Sequence, residues 1–462
     1  MGTDKTIQLK VESQPATSPL SSGESKCDAG RYPIYSIDDA RCLFGDRKLY
    51  LWGAGQKGRG FWQALNRCGF KVESFIDSSP EMLTKSFMGV GTISPGSFFA
   101  LPGVRDNAFV LTASVDIKNK AMFNELQRHG FKRGVSFENI QTLSPFYPTI
   151  EVTGLCNLRC SSCIRSDKSI IEDGDYMSYE DYEKVIIKMV GEIPFVYLVD
   201  LYVFGEPMLN KDLPRMIHLN NQLGLASGLS TNLYSIRHLK SVLDAYPVQI
   251  RVSLSGASAA TYDITHTGGK WSKVEKHLQT LAELVAERNH RTIVEVYYHI
   301  YKHNQHEIGM IQALCARYGF RFHPSLAVLF SDFALQYSRE GTVPNSAKVA
   351  NDLTLISMEC LLQDCRDHAH LNCILTRVVP VINWDLSVMP CCNYAYSKIA
   401  PNYLDIPLTD LIHERTHSLV CANCQLHALH RWNNQGFYSD YVARIVAKNT
   451  QPAAEASLNN AD

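Results

Sequence analysis

The sequence predicts an α/β protein in three parts: a partial (β/α)6 barrel, a nucleotide-type βαβ unit ahead of it, and a small cysteine-rich domain after it. Three observations predict this. Between residues 149 and 326, strand-like apolar runs alternate six times with helical periodicity. Nearer the N-terminus, Gly53-x-Gly55-x-x-Gly58 stands between an apolar run and an amphipathic one. Beyond residue 345 the alternation fades into short runs, turns and cysteines.

Along the chain, residues 1–28 are rich in Ser, Thr, Gly and charge and read as a disordered tail. The βαβ unit occupies 29–145. Lys48–Trp52 is its buried strand, the glycine turn and a helix follow, and a second strand, Val72–Ile76, ends at Asp77. That order supplies a tight turn, a helix N-terminus for a phosphate and an acid for a ribose. The barrel spans 146–345, with strands expected at 149–153, 195–203, 225–230, 248–254, 293–301 and 320–326. Its clearest helix begins at Ser178, where Asp181 completes a capping box and Tyr182, Val185, Ile186, Met189 and Val190 line one face. Six units fall short of the eight that close a barrel, so an open sheet is expected. The cysteine-rich domain covers 346–440, organised by metal as much as by a core. Residues 441–462 form a tail, disordered after the final helix.

Composition narrows the function. The 462 residues carry a net charge of −1, with 45% hydrophobic and 20% charged residues, which excludes a disordered chain and gripping of nucleic acid by bulk electrostatics. The most apolar run, 195–204, is broken by Asp200 and is too short to span a bilayer. The first residues lack the apolar core of a secretion signal. A cytoplasmic protein with no membrane partner is expected.

In a reducing cytosol the 14 cysteines are metal ligands before they are disulfides. Cys156, Cys160 and Cys163 follow the first barrel strand, at the end where barrel enzymes build active sites. Three thiolates can hold an iron–sulfur cubane with one iron left open, and an open position is what a catalytic metal site keeps. The alternative is a structural zinc with a fourth ligand elsewhere.

The segment GLCNLRCSSC resembles the C-x-x-x-C-x-x-C loop of the radical S-adenosylmethionine (radical SAM) enzymes. In that family the open iron chelates the amino and carboxylate groups of S-adenosylmethionine, and one electron from the [4Fe-4S] cluster yields a 5′-deoxyadenosyl radical that abstracts hydrogen. Three further segments match in order. Phe204-Gly205-Glu206-Pro207 resembles the G-G-E-P strand end that holds the methionine ammonium. Ser230-Thr231-Asn232 resembles S-T-N-G, and Ser253-Leu254-Ser255-Gly256 resembles S-x-D-G, segments that touch the methionine carboxylate or ribose. The resemblance therefore implies cosubstrate contacts at Gly205, Glu206, Pro207, Ser230, Asn232, Ser253 and Ser255. Three departures bear on the adenine and substrate contacts: Ser162 replaces an aromatic residue, Phe204 a glycine and Ser255 an aspartate.

Cys373, Cys391, Cys421 and Cys424 are enough to close a second site, and their surroundings resemble the C-terminal auxiliary-cluster extension of these enzymes. No cysteine follows Cys424, so the shorter twitch form, with one auxiliary [4Fe-4S] cluster, matches better than the seven-cysteine SPASM form. Spacing leaves Cys391 and Cys392 both open, with Cys391 favoured. Structural zinc is the alternative here too. Cys360 and Cys365 read as buried small hydrophobes, and His427 and His430 as surface histidines.

The glycine loop, with Gly53, Gly55, Gly58 and Asp77, resembles the Rossmann-like modules attached to enzymes of surface-sugar and natural-product assembly, which implies a nucleotide or nucleotide-sugar ligand or else a docking role. Lys57 and Arg59 stand beside any phosphate there. The whole reads as a radical SAM enzyme acting on a carbohydrate-like or other small metabolite, by oxidation, epimerisation or dehydration. It would be reduced by a flavodoxin- or ferredoxin-type partner. A maturase of a ribosomally made peptide is the rival within the chemistry, a non-catalytic metal-binding scaffold the rival outside it, and a dinucleotide-dependent oxidoreductase ranks last.

Overall fold

The computed structural model describes residues 34–450 except 114–115, 290, 395–396 and 433–437, so the 1–28 tail and residues 451–462 lie outside the described residues. The chain is an α/β fold with two parallel sheets.

The first sheet is built from β1 (Lys48–Trp52), β2 (Val72–Ile76), β3 (Thr92–Ile93), β4 (Ala108–Thr112) and β5 (Phe137–Asn139), in the order β3-β2-β1-β4-β5 with every pair parallel. Alternation along β1 sends Leu49 and Leu51 into one core and Tyr50 and Trp52 into another, so both faces are covered, as a parallel sheet requires.

The second sheet begins with β6 (Thr149–Ile150), β7 (Leu198–Asp200), β8 (Ala226–Thr231), β9 (Gln249–Leu254), β10 (Ile293–Ile300) and β11 (Arg321–Leu326), all parallel and neighbours in chain order. Two later strands, β12 (Val381–Ile382) and β13 (Val388–Met389), extend the β6 edge, β12 parallel to β6 and β13 antiparallel to β12. The sheet is thus an open barrel wall whose first edge is occupied by the C-terminal segment. That pairing joins the cysteine-rich region to the barrel by main-chain hydrogen bonds, a link that no local pattern announces.

Along β9 and β10 every second residue is buried. Ile250, Val252, Leu254, Val294 and Val296 share one core with Val274, Leu278 and Leu281 of the helix Trp271–Glu287 and with Tyr182, Val185, Ile186 and Met189 of the helix Tyr179–Glu192. The intervening Gln249, Arg251, Ser253, Glu295, Tyr297 and His299 are half-buried on the concave side. A polar lumen inside an apolar shell follows from period-two alternation alone.

Two expected strands are shorter than their apolar runs. The run 195–203 forms hydrogen-bonded strand only at Leu198–Asp200, because Phe195 and Tyr197 pack on Phe61 of the first unit. In the run 149–153 only Thr149–Ile150 is strand, and Glu151 N–H already donates to Ile382 O at 2.7 Å. The boundary drawn at 440 falls inside the helix Ser439–Thr450, whose Ile445 is buried in the barrel core.

The first unit is seated on the N-terminal ends of the barrel strands. Arg67, at the end of the helix Gln56–Arg67, donates to Leu223 O at 2.8 Å, Pro194 O at 2.9 Å and Val196 O at 2.5 Å, and Gln56 Nε2 donates to Val248 O at 2.9 Å. Each of those carbonyls precedes β7, β8 or β9. Replacing Arg67 by Ala strips the buried carbonyls of a charged donor and should cost about 3 kcal/mol. Urea unfolding together with limited proteolysis checks this: the two units should separate at lower denaturant, and an unchanged midpoint would remove Arg67 as the clasp.

Candidate active site

Parallel strands leave the sheet at a common end, so the loops after β6, β7, β8 and β9 converge. These loops and the strand ends leading into them carry Cys156 to Cys163, Phe204 to Pro207, Ser230 to Asn232 and Ser253 to Gly256, the four segments singled out from sequence. The fold brings them together.

The cysteine loop is pinned along its length. Arg159 donates to Cys156 O at 2.7 Å and pairs with both oxygens of Asp173 at 2.7 and 2.9 Å. Arg159 N–H meets Thr267 O at 2.9 Å, and Ser161 N–H meets Thr265 O at 3.3 Å. Asn232 Nδ2 lies 2.9 Å from Asn157 Oδ1 and 3.6 Å from Cys156 Sγ, joining the third segment to the loop. Burial pushes all three thiols up: Cys156 to about 12, with Glu206 adding to the effect, and Cys160 well above its ordinary value, with the charges of Cys163 and Cys156 adding.

Among the described residues no three His, Cys, Asp or Glu side chains come close enough to share one metal ion. A multiply charged metal group bound by these half-buried thiols would keep them deprotonated. Arg165 and Arg159 stand beside Cys163 as counter-charges. The donor set therefore fits an iron–sulfur cluster held by Cys156, Cys160 and Cys163.

Two buried carboxylates set the remaining strand ends. Glu151 Oε1 accepts from Phe204 N at 2.8 Å and Gly205 N at 2.7 Å, while Arg165 donates to Phe204 O at 2.9 Å and lies 3.7 Å from Glu151. A Cβ on Gly205 would stand 1.7 Å from Thr153 O, so only glycine passes there. Glu206, 2% exposed, accepts at Oε1 from Thr231 Oγ1 at 2.7 Å and Met208 N at 3.1 Å, and at Oε2 from Asn232 N at 2.8 Å. Burial pushes its acid up to about 7. Glu206 thus positions the 230–232 segment through its own chain. Pro207 starts a short 3-10 turn behind it.

Ser230 and Ser253 are half-buried on the lumen side of β8 and β9. Ser255 is different. It is 1% exposed, its hydroxyl meets Thr265 Oγ1 and His266 Nδ1, and its carbonyl accepts from Asn304 Nδ2 at 2.8 Å. The Ser255 hydroxyl is thus held in the wall by its neighbours. Ser162, in place of an aromatic residue, has the buried Tyr301 beside it, a ring supplied from just beyond β10.

Below these loops lies a polar lumen that motif matching missed. Arg251 stacks on Tyr297, its guanidinium carbon 3.8 Å from the ring centroid, and donates to the Tyr297 hydroxyl at 3.1 Å. Asp200 faces Arg251, its acid raised by burial, and His299 is pushed down to about 4 by burial and by Arg251. The pattern Gln249-x-Arg251-x-Ser253 beside Glu295-x-Tyr297-x-His299 is the signal that would have found them.

The second cysteine field comprises Cys373, Cys391, Cys392, Cys421 and Cys424. Cys373, Cys421 and Cys424 are electrostatic neighbours, and Cys391 faces Cys421. Cys392 faces Cys373 on one side and Asp200 and Tyr202 of the lumen on the other. Buried Arg415 and Arg431 stand beside Cys373, counter-charges suited to a four-thiolate site. Cys365 is buried next to Cys424 as expected, but Cys360 is exposed. His430 is a buried residue tied to Leu371 O at 3.0 Å, not a surface one, because the short turn Leu429–Arg431 folds inward over the 371–373 segment.

Gly53, Gly55, Gly58 and Asp77 gather at the end of β1 and β2, on the unit docked at the opposite barrel mouth. Asp77 accepts from Ala54 N at 2.8 Å and Ser79 N at 2.9 Å, so its first duty is to hold the glycine loop.

Replacing Glu206 by Gln tests the positioning role without removing volume. An amide cannot accept at both ends, so hydrogen exchange at the Asn232 amide should rise at least tenfold. Unaltered protection would show that Glu206 does not hold this segment.

Comparison with known proteins agrees with the geometry. Residues 150–312 match the Radical SAM superfamily. GTP 3′,8-cyclase of Synechocystis sp. is 31% identical over 121 residues, 25% of this chain and 36% of that protein. A 7,8-dihydro-6-hydroxymethylpterin dimethyltransferase of Methanocaldococcus jannaschii is 32% identical over 120 residues, 24% of this chain and 23% of that protein. The chain thus spans about a third or less of the curated relatives it matches. The crystal structure of BtrN in complex with AdoMet and 2-DOIA aligns with a TM-score of 0.36 at 15% identity, covering 64% of this chain and 90% of that one. No helix among the described residues is long and apolar enough to cross a membrane. Residues 150–312, from β6 through β10 and including the three cysteines after β6, thus match the Radical SAM superfamily.

Proposed function

We propose that this protein is a radical SAM enzyme of the cytoplasm that abstracts hydrogen from a small, carbohydrate-like metabolite and delivers an oxidised, epimerised or dehydrated product. The observation that carries the reading is the gathering of Cys156, Cys160 and Cys163 at the barrel end, within reach of the 204–207 and 230–232 segments. When bound there, a [4Fe-4S] cluster and S-adenosylmethionine supply a 5′-deoxyadenosyl radical.

The chain's own residues do the rest. Glu151 and Arg165 hold the Phe204–Gly205 backbone, and Glu206 holds Thr231 and Asn232, so the cosubstrate meets a preformed surface. The Gly205 backbone and the Ser230, Asn232 and Ser253 side chains orient it. Beneath it the lumen offers Arg251, Tyr297, Tyr202 and His299, polar groups that suit a substrate rich in hydroxyls. His299 stays neutral at physiological pH, since burial pushes it down, and so remains able to accept a hydrogen bond.

Cys373, Cys391, Cys421 and Cys424 would hold an auxiliary [4Fe-4S] cluster beside that lumen, with Arg415 and Arg431 offsetting its charge. Four protein ligands leave it no open iron, which suits electron acceptance from a substrate more than substrate binding. A flavodoxin- or ferredoxin-type protein would serve as reductant, and the glycine loop of the first unit would hold a nucleotide.

Anaerobic reconstitution should load about eight irons, the content of two cubanes. Replacing Cys156, Cys160 and Cys163 together by Ala should halve that iron and abolish cleavage of S-adenosylmethionine; iron content equal to wild type would refute the assignment. Replacing Cys421 and Cys424 by Ala should leave uncoupled cleavage of S-adenosylmethionine while eliminating product, and full turnover in that variant would reduce the second site to a structural one.

A further inference from the structure

We propose that the cavity between the glycine loop and the 80–92 segment binds a phosphate-bearing ligand of mononucleotide size through Arg59 and Lys85, at the barrel mouth opposite the cysteine loop. This deepens the nucleotide part of the reading above and is independent of the cluster.

The cavity measures about 230 Å³ and is lined by Ala54, Arg59, Phe75, Met82, Lys85 and Phe87, with Ser86 and Thr92 at its side. Phe75, Met82 and Phe87 make an apolar surface; Arg59 and Lys85 supply two cations. Arg59 Nε is buried and has no hydrogen-bond partner among the described residues, and its guanidinium carbon sits 5.9 Å from the Phe87 ring centroid. Arg59 lines the cavity as a cation, and a guanidinium is suited to bidentate pairing with a phosphate. Lys85 is engaged only by the exposed carboxylate of Glu81, one turn back, a pairing weak enough to be redirected.

The loop geometry leaves space for such a ligand. A Cβ on Gly58 would stand 1.8 Å from Gly53 O, so this glycine lets the helix Gln56–Arg67 approach the strand. A Cβ on Gly55 would meet nothing within 4 Å, and Gly55 caps the helix without a side-chain hydrogen bond. The helix N-terminus is therefore open beside the Arg59 cavity. Its volume, about 230 Å³, leaves no room for a dinucleotide within the cavity itself.

Placement decides what the ligand does not do. Gln56 and Arg67 join this unit to the carbonyls that precede β7, β8 and β9, whereas the cysteine loop lies beyond the other ends of the strands. The six residues of β9 alone separate the two ends by about 20 Å. The bound phosphate compound is therefore not the molecule that loses hydrogen at the cysteine loop.

The test is calorimetric titration of ADP, UDP and inorganic phosphate into the full chain. At least one nucleotide should bind saturably in wild type and at least tenfold more weakly in Arg59→Ala, with a smaller, salt-dependent loss in Lys85→Ala. Arg59→Lys, which keeps the charge and most of the packing, should lie between wild type and Arg59→Ala, and it serves if the alanine variant does not fold. Cys156→Ala should bind as wild type does, which separates this site from the radical chemistry. Absence of nucleotide binding at millimolar concentration, binding of phosphate alone, or equal affinity in the Arg59 variants would each overturn the proposal.

Discussion

Two carboxylates buried at the ends of the barrel strands hold the candidate site in shape. Glu151 and Glu206 each collect amide or hydroxyl donors from a neighbouring strand end: Glu151 from Phe204 and Gly205, Glu206 from Thr231, Asn232 and Met208. Parallel strands end in loops whose N–H groups have no ladder partner, and a dry carboxylate satisfies several of them at once with charge-assisted bonds. The cost is the desolvation of two acids, which Arg165 offsets for Glu151. Remove either acid and the loops after β6, β7 and β8 lose their common frame.

The cysteine loop uses that frame. Its thiols are buried and held up by desolvation, yet arginines stand within electrostatic reach and Asn232 touches Cys156. Such a pocket is poor at holding thiolates alone and good at holding them against a multiply charged cation. The same arrangement recurs at the second field, where Arg415 and Arg431 flank Cys373. Cys392 links the two sites, lying between that field and the lumen residues Asp200 and Tyr202. The lumen thus has the first cysteine loop above it, the second field at its side and the glycine-loop unit beneath it.

Much of this was legible in the chain. Six alternations of period two and period 3.6 announced an open barrel, because burial on one strand face and one helix stripe leaves a periodic trace wherever it occurs. The spacing of Cys156, Cys160 and Cys163 put three thiols on one loop, a grouping that needs no long-range contact to form. The glycine turn was legible for the same reason: Gly58 must pass close to Gly53, five residues away.

What local spacing could not carry was contact between distant segments. Pairing of β12 with β6, the Arg67 clasp on three barrel carbonyls, and the turn of Ser255 into the wall each join residues that only the folded chain brings together. Glu206 is the sharpest case. Its motif pointed to a ligand contact, and the fold adds a structural duty: the carboxylate accepts from Thr231, Met208 and Asn232, and which partner an acid meets depends on what the fold places within about 3 Å of it. Residue identity and local order chose the chemistry; long-range packing chose which groups remain free to perform it.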